Sequence, residues 1–392
     1  MTPPVPPLLP EPLRARLVAL RRDLHAHPEL SGAEHETRAR LEAALRELVP
    51  GARVDRVAET GLVARVAGRE PGAPVVALRG DIDALPIRED TGLPFASTVP
   101  DVMHACGHDV HAAWAVGAAA LLAATPARGD VLVVLQPAEE TGRGARAVLD
   151  TGALADARAI FGAHVDRRFV VGEVVAEPGP VAASADSFTV EFVGRGAHAA
   201  RPHEGSDPIV GAAALVLALQ TIVARRLAPA DAGVVTVGML QAGSAPNVIP
   251  GTARLVGTLR AIAPETRSLL HDELHRIAAG VAITHRLEVH VDIEQGPPPI
   301  VNPAAPVGWA RDAVTRLLGP EALRPLGTLN LGGEDFAHYL EHLPGCFLRI
   351  GAREPDGEII PAHSPRFHAA EESIAVGAAV LAETARIAAA AL

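Results

Sequence analysis

The densest set of groups able to do chemistry lies in Met103–His111, MHACGHDVH. Cys106 and His108 stand two apart, with His104, Asp109 and His111 around them. A thiolate, imidazoles and carboxylates together suit a borderline-soft divalent ion such as zinc, and carboxylates also admit manganese. Taken alone, Cys106 reads as a small buried hydrophobe, which is what most free cysteines are. A Cys–His nucleophile pair is a further reading. It leaves Glu139, Glu140 and His164 unexplained, so metal binding ranks above it.

Glu139 and Glu140 follow the apolar run VLVVLQPA, Asp81 and Asp83 follow VVALR, and His164 ends AIFGAH. Adjacent carboxylates in a turn can divide the work. One holds a metal while the other takes a proton from the water that the metal activates. A solvated acidic turn is the ordinary reading of such a pair in isolation. Farther along come His198 and His203 in GRGAHAARPHEGSDP, Asn247 in PNVIP, Glu334 and Asp335 in GGEDF, and His363 in AHSPRF. His203 reads as structural, and Asn247 as a turn residue or a ligand contact.

The elements that must position these groups can be read from periodicity. Val75–Arg79, Val131–Gln136 and Ala159–His164 read as buried strands, with helical stretches at His111–Ala123 and Gly142–Leu149 between them. Strand–helix alternation predicts a mainly parallel sheet, and ligands bind beyond the carboxyl ends of such strands. Three strand ends therefore offer acids and an imidazole to one crevice. Near Pro178–Pro180 the pattern changes to alternating strands: Ser187–Val193, Gly233–Leu240 and Arg286–Ile293. Helical patterns at Ile209–Arg226 and Pro264–Gly280 lie among them, an α+β unit with one solvated sheet face. After Gly296–Pro299 come a helix (Ala305–Leu318), a strand (Cys346–Ile350) and an alanine-rich C-terminal helix. The fold expected is an α/β domain, 1–182 and 296–392, interrupted by an inserted domain at 183–295, with a proline-rich lead over 1–12.

Composition narrows the chemistry. Among 392 residues there is no lysine, so all 35 basic residues are arginine, which excludes Schiff-base, pyridoxal-phosphate and P-loop lysine chemistry. Charged residues make up 21% and the formal net charge is −11 without basic tracts, which argues against nucleic acid and anionic membranes as partners. Two cysteines, 240 residues apart, make no disulfide framework. The lead does not read as a signal peptide, and no apolar run suggests a membrane span. A cytoplasmic location is expected.

RRDLHAHPEL, ALRGDIDALP, MHACGHDVH, QPAEETGRGA, GRGAHAARPH, NVIP, GGEDF and HSPRF occur in this order. Together they resemble the aminoacylase–carboxypeptidase metallohydrolases, in the amidohydrolase branch with hippurate and indoleacetyl-amino acid hydrolases and N-acetyl-diaminopimelate deacetylases. The resemblance spans about residues 13 to 385. It implies a zinc-peptidase-like catalytic domain and an inserted lid and dimerisation domain, giving a homodimer or a dimer-based tetramer. It implies two divalent ions per subunit, zinc or manganese with nickel or cobalt also admissible, bridged by Cys106. His108, Glu140, His164 and His363 would be the other ligands, with Asp83 orienting one of them. Glu139 would be the general base and His198 would polarise the scissile carbonyl from its own or the partner subunit. Asn247 and Arg260 would meet the substrate carboxylate. The reaction implied is hydrolysis of N-acyl-amino acids, with a metallo-dipeptidase or carboxypeptidase as the alternative. A dinuclear phosphoesterase and a non-catalytic metal-dependent binding protein are the rivals from other classes.

Overall fold

A computed structural model describes residues 6–329 and 331–392. Residues 1–5 of the proline-rich lead lie outside them. Two compact units result: Met1–Gly179 with Asn302–Thr328 and Asp335–Leu392, and Pro180–Val301 with Leu329–Glu334.

The first unit opens with α1 (Glu11–Ala26) and α2 (His35–Leu48), then β1 (Arg53–Val57), β2 (Gly61–Val66) and β3 (Val75–Asp81). There follow α3 (His108–Ala124), β4 (Val131–Gln136), α4 (Gly144–Asp150), β5 (Ala157–Val170) and β6 (Val174–Val175). The chain enters the second unit in β7 (Gly179–Ala182) and leaves it in β14 (Ile300–Asn302); between them lie β8 (Asp186–Val193), β9 (Ala197–His198), α5 (Pro208–Thr221), β10 (Gly233–Ala242), β11 (Val248–Ile249), β12 (Thr252–Ala261), α6 (Pro264–His285) and β13 (Glu288–Glu294). The chain then returns through α7 (Ala304–Leu318), α8 (Ala337–Leu340), β15 (Gly345–Arg353) and α9 (Glu372–Ala391).

The first sheet has the order β1-β2-β4-β3-β5-β15-β6. Its four central strands, β4, β3, β5 and β15, run parallel, while the outer pairings, β1 with β2, β2 with β4 and β15 with β6, are antiparallel. The parallel strands are buried on both faces and read as unbroken apolar runs, such as VLVVLQ in β4. α3 is buried over nearly its whole length, which its alanine-rich sequence permits at low side-chain entropy cost. It packs against α1 and α9. Burying each Val or Leu of this core contributes roughly 1.5–3 kcal/mol.

The second unit pairs β10-β12-β8-β13 in an antiparallel sheet covered by α5 and α6. Inward residues alternate along β12 with half-exposed ones, the pattern of a sheet with one wet face. Asp207 caps α5, its carboxylate accepting the N–H of Ile209 at 2.9 Å, and Pro208 occupies the first helical position.

Two helical segments, Pro208–Arg226 and Glu372–Ala391, are long and apolar enough to cross a membrane by length and composition. That corrects the expectation that no segment is. Most of α9 is buried in the core of the first unit, which accounts for its apolarity, whereas α5 leaves Val210 and Leu217 exposed.

Candidate metal centre

The ends of β3 and β4, the middle of β5 and the start of a buried helix deliver the polar groups. Asp81 ends β3, Gln136 ends β4 just before Glu139 and Glu140, and β5 runs on past β3, carrying His164 to the rim. His164 therefore lies within its strand and not at its end, because β15 continues to pair with β5 as far as Val170. α3 begins at His108, three residues earlier than periodicity suggests. Gly107 before it has φ +90°, and a Cβ there would stand 2.5 Å from Val165 Cγ2. Only glycine meets both demands, so the CGH sequence forces the chain sharply from Cys106 into the helix.

His108 is fully buried. Its Nδ1–H donates to the carbonyl and to the carboxylate of Asp83, both at 3.0 Å, which turns Nε2 outward, where a bound ion would take the place of its proton. Asp83 also accepts from the N–H of Glu140 at 3.0 Å and from Ser31 Oγ at 2.7 Å. These bonds hold its carboxyl below the usual range although burial pushes the other way. Around His108 Nε2 lie Asp81 at 3.7 Å, Glu140 at 3.8 Å and Glu139 at 4.0 Å. Burial alone would lower the pKa of His108, but Asp81 and then Cys106 and Asp83 hold it well above the ordinary value. That field favours a cation.

Cys106 Sγ lies 3.2 Å from His164 Nε2. His164 donates Nδ1–H to the Val165 carbonyl at 2.7 Å, and burial followed by His111 and Arg349 keeps the imidazole neutral. Burial, with Glu140 and Glu139 nearby, pushes the Cys106 thiol well above its usual range. A thiol so placed is deprotonated only with a cation against it. His363 Nε2 reaches Glu140 Oε2 at 3.4 Å, and Glu140 raises its pKa. Its backbone sits at φ +66° and its N–H donates to the Ala105 carbonyl, so a strained conformation is held to the CGH turn.

Whether these residues fit a metal can be judged from the donors themselves. His108 Nε2 and Glu140 Oε1 are buried and lack a hydrogen-bond partner, an arrangement costly unless a ligand is bound there. Among the described residues, ligand atoms of Cys106, His108 and His164 lie within 4.8 Å of one another, as do those of Cys106, Glu140 and His363. The two sets share the thiol. His108, Glu139 and Glu140 form another such set. Soft thiolate, imidazole and carboxylate in these groups fit divalent transition ions.

The structure thus brings together Cys106, His108, Glu139, Glu140, His164, His363 and Asp83. His198, Asn247 and Arg260 lie in the second unit. His198 is in β9, paired with Val248 of β11, and the N–H of Ala199 donates to the Asn247 carbonyl at 3.0 Å, so GAHAAR and NVIP form one small ribbon. Arg260 is in β12, where burial lowers its pKa and Nη1 donates to the Leu259 carbonyl at 3.3 Å.

Several supporting residues had no assigned role in the sequence reading. His111 donates Nδ1–H to Asp81 at 2.6 Å and accepts the N–H of Val165 at 2.9 Å, tying α3 to the strand that bears His164. Its spacing of three from His108 on one helix face was the available signal. Asp109 accepts from Arg21 at 2.6 Å and His25 at 2.8 Å, all three buried, which explains RRDLHAHPEL. Glu34 accepts the N–H of Ala138 at 2.9 Å and Thr60 Oγ at 2.6 Å.

Residues 77–387 match the family model described as peptidase family M20/M25/M40. The chain belongs to that family. Among its relatives, N-acetyl-L-cysteine deacetylase of Bacillus subtilis is 41% identical over 377 residues, 95% of this chain and 88% of that protein. N-acetyldiaminopimelate deacetylase of Listeria monocytogenes is 35% identical over 343 residues, 85% of this chain and 90% of that protein. The crystal structure of the Bacillus subtilis YXEP protein, a dinuclear metal binding peptidase from the M20 family, superposes with a TM-score of 0.86 at 36% identity, covering 98% of this chain and 100% of that one. The M20 assignment agrees with the family expected from the ordered motifs, and its α/β fold with antiparallel insert is the one described above. As an M20 protein the chain is a metal-dependent hydrolase.

Proposed function

We propose that this hydrolase cleaves the amide bond of N-acyl-amino acids to a carboxylic acid and a free amino acid, using two divalent ions. The observation that carries the reading is the pair of donor sets sharing Cys106, with Glu139 beside them. Deacetylase relatives and a dinuclear solved structure support it. Cys106, His108, Glu140, His164 and His363 would hold the ions, and Asp83 would keep His108 in its ligating tautomer. Bound ions would supply Lewis acidity to the attacking water and the amide carbonyl.

Glu139 takes the proton of the attacking water through a carboxylate oxygen and returns it to the leaving nitrogen as the C–N bond breaks. His198 donates to the scissile carbonyl oxygen as charge develops there, a contribution of about 3–4 kcal/mol by the standard of single oxyanion donors. Asn247 and Arg260 meet the carboxylate of the amino acid moiety, which an enzyme of net charge −11 must attract locally. The second unit serves as lid and dimerisation domain.

The test is Glu139→Gln with metal content measured alongside. The reading predicts unchanged bound metal and a fall in kcat of about 10²–10⁴-fold, the range for a positioned base. Near-normal turnover, or loss of metal, would remove Glu139 from the role.

A further inference from the structure

We propose that Asp335 is a positioning residue for Glu139, fastening both ends of the turn that carries it and anchoring one of its carboxylate oxygens. The inference rests on the reading of Glu139 as general base. Asp335 belongs to the GGEDF motif.

Asp335 is fully buried. Its Oδ1 accepts Arg79 Nη2 at 2.9 Å and Gln136 Nε2 at 2.8 Å, and its Oδ2 accepts Gln136 Nε2 at 3.0 Å and the N–H of Ala145 at 2.9 Å. Gln136 is the last residue of β4 before the turn, and Ala145 lies in the first turn of α4 after it. One carboxylate therefore clasps both flanks of residues 137–144. The clasp is itself held: Arg79 Nε donates to Gln136 Oε1 at 2.8 Å, and Arg79 also pairs with Asp81. Within the turn there is no slack. Ala138 has φ +53°, and a Cβ on Gly144 would stand 1.7 Å from the Pro137 carbonyl oxygen.

The backbone N–H of Asp335 also donates to Glu139 Oε1 at 3.2 Å. The other oxygen, Oε2, is the one that faces His108 Nε2 at 4.0 Å. Asp335 thereby selects which oxygen of Glu139 points to the metal-binding donors, and a base must be held within tenths of an ångström to act. Asparagine at 335 keeps the size but turns an N–H₂ toward a donor on one flank, loosening one side of the clasp.

The experiment is a double-substitution cycle on the metal-loaded enzyme, with kcat, KM and bound metal measured for each variant. Asp335→Asn is expected to lower kcat about 100-fold, the scale for a misplacement near 1 Å, with KM and metal content unchanged. In a Glu139→Gln background the same change is expected to cost less than about threefold, because the group it positions is gone. Gln136→Met, which removes a donor from both Asp335 oxygens while leaving Asp335 in place, is expected to lower kcat about tenfold with the same dependence on Glu139, and serves if Asp335→Asn does not fold. An equal fall in both backgrounds, a fall confined to metal content, or wild-type kcat in Asp335→Asn would overturn the inference. Wild-type-like kcat in Glu139→Gln alone would instead overturn the general-base reading, and this inference with it.

Discussion

At Cys106 a buried thiol lies between an imidazole and a carboxylate, and burial makes its ionisation costly without a cation. Its place in both donor sets makes it the most sensitive of the proposed ligands. Cys106→Ala should retain less than one metal per chain after desalting, by elemental analysis, and lose activity by about 100-fold or more, beyond the 10–100-fold typical of an outer-shell partner. Full metal occupancy in that variant would strike it from the ligand set. At this scale the local part of the site was legible: Cys106, His108, Glu139 and Glu140 are close in sequence and chemically conspicuous. His363 is distant and gained meaning only from its motif. Asp335, Arg79 and His111 were not legible as a network, because a buried carboxylate looks in sequence like any other, and only the fold shows that its donors come from positions 79, 136 and 145.

Elements place these groups through their ends, and the ends are where periodicity is least informative. The helical reading of Gly142–Leu149 lies within two residues of α4 at each end, but the separate short turn Glu139–Thr141 that carries the two glutamates is too short to show a period. β12 went unread although it lies at the centre of the second sheet, and β1 and β2 were likewise missed. Where charges are buried, the elements carry a pH signature. Asp186 begins β8 and is fully buried, accepting two bonds from Arg267 at 2.9 and 2.6 Å, one from His271 at 2.7 Å and one from the N–H of Gly296 at 3.1 Å. Burial alone would raise its pKa, but Arg267 and His271 hold it below the ordinary value. A depressed carboxyl contributes stability above its unfolded pKa, near 3.9, and that contribution is lost as pH falls through the folded value. Asp186→Asn should therefore destabilise the protein by about 3 kcal/mol or more at neutral pH, as removal of one partner of a buried pair does. The difference from the unsubstituted protein in thermal melts should shrink below about pH 4. A pH-independent difference would show that the cost is packing and not charge.

The chain forms two compact units, the second beginning at Pro180. That unit exposes Val210 at 50%, Leu217 at 73% and Ile283 at 80%, more apolar surface than a helix face in water needs. If the second unit is the dimer contact and His198 acts in the partner's site, mixing inactive Glu139→Ala and His198→Ala chains should restore up to about a quarter of wild-type activity, the share expected when one of the two sites in half of randomly paired dimers is intact. No recovery with subunit exchange confirmed would place His198 in its own subunit's site or outside catalysis. The central claim is the reaction itself. It is tested most directly by stripping the protein with a chelator and measuring free amino acid released from N-acetyl-, N-benzoyl- and indoleacetyl-amino acids, with and without added Mn²⁺ or Zn²⁺. The account predicts release that vanishes on stripping and returns with metal for at least one member; silence across the panel with metal shown to be bound would contradict it.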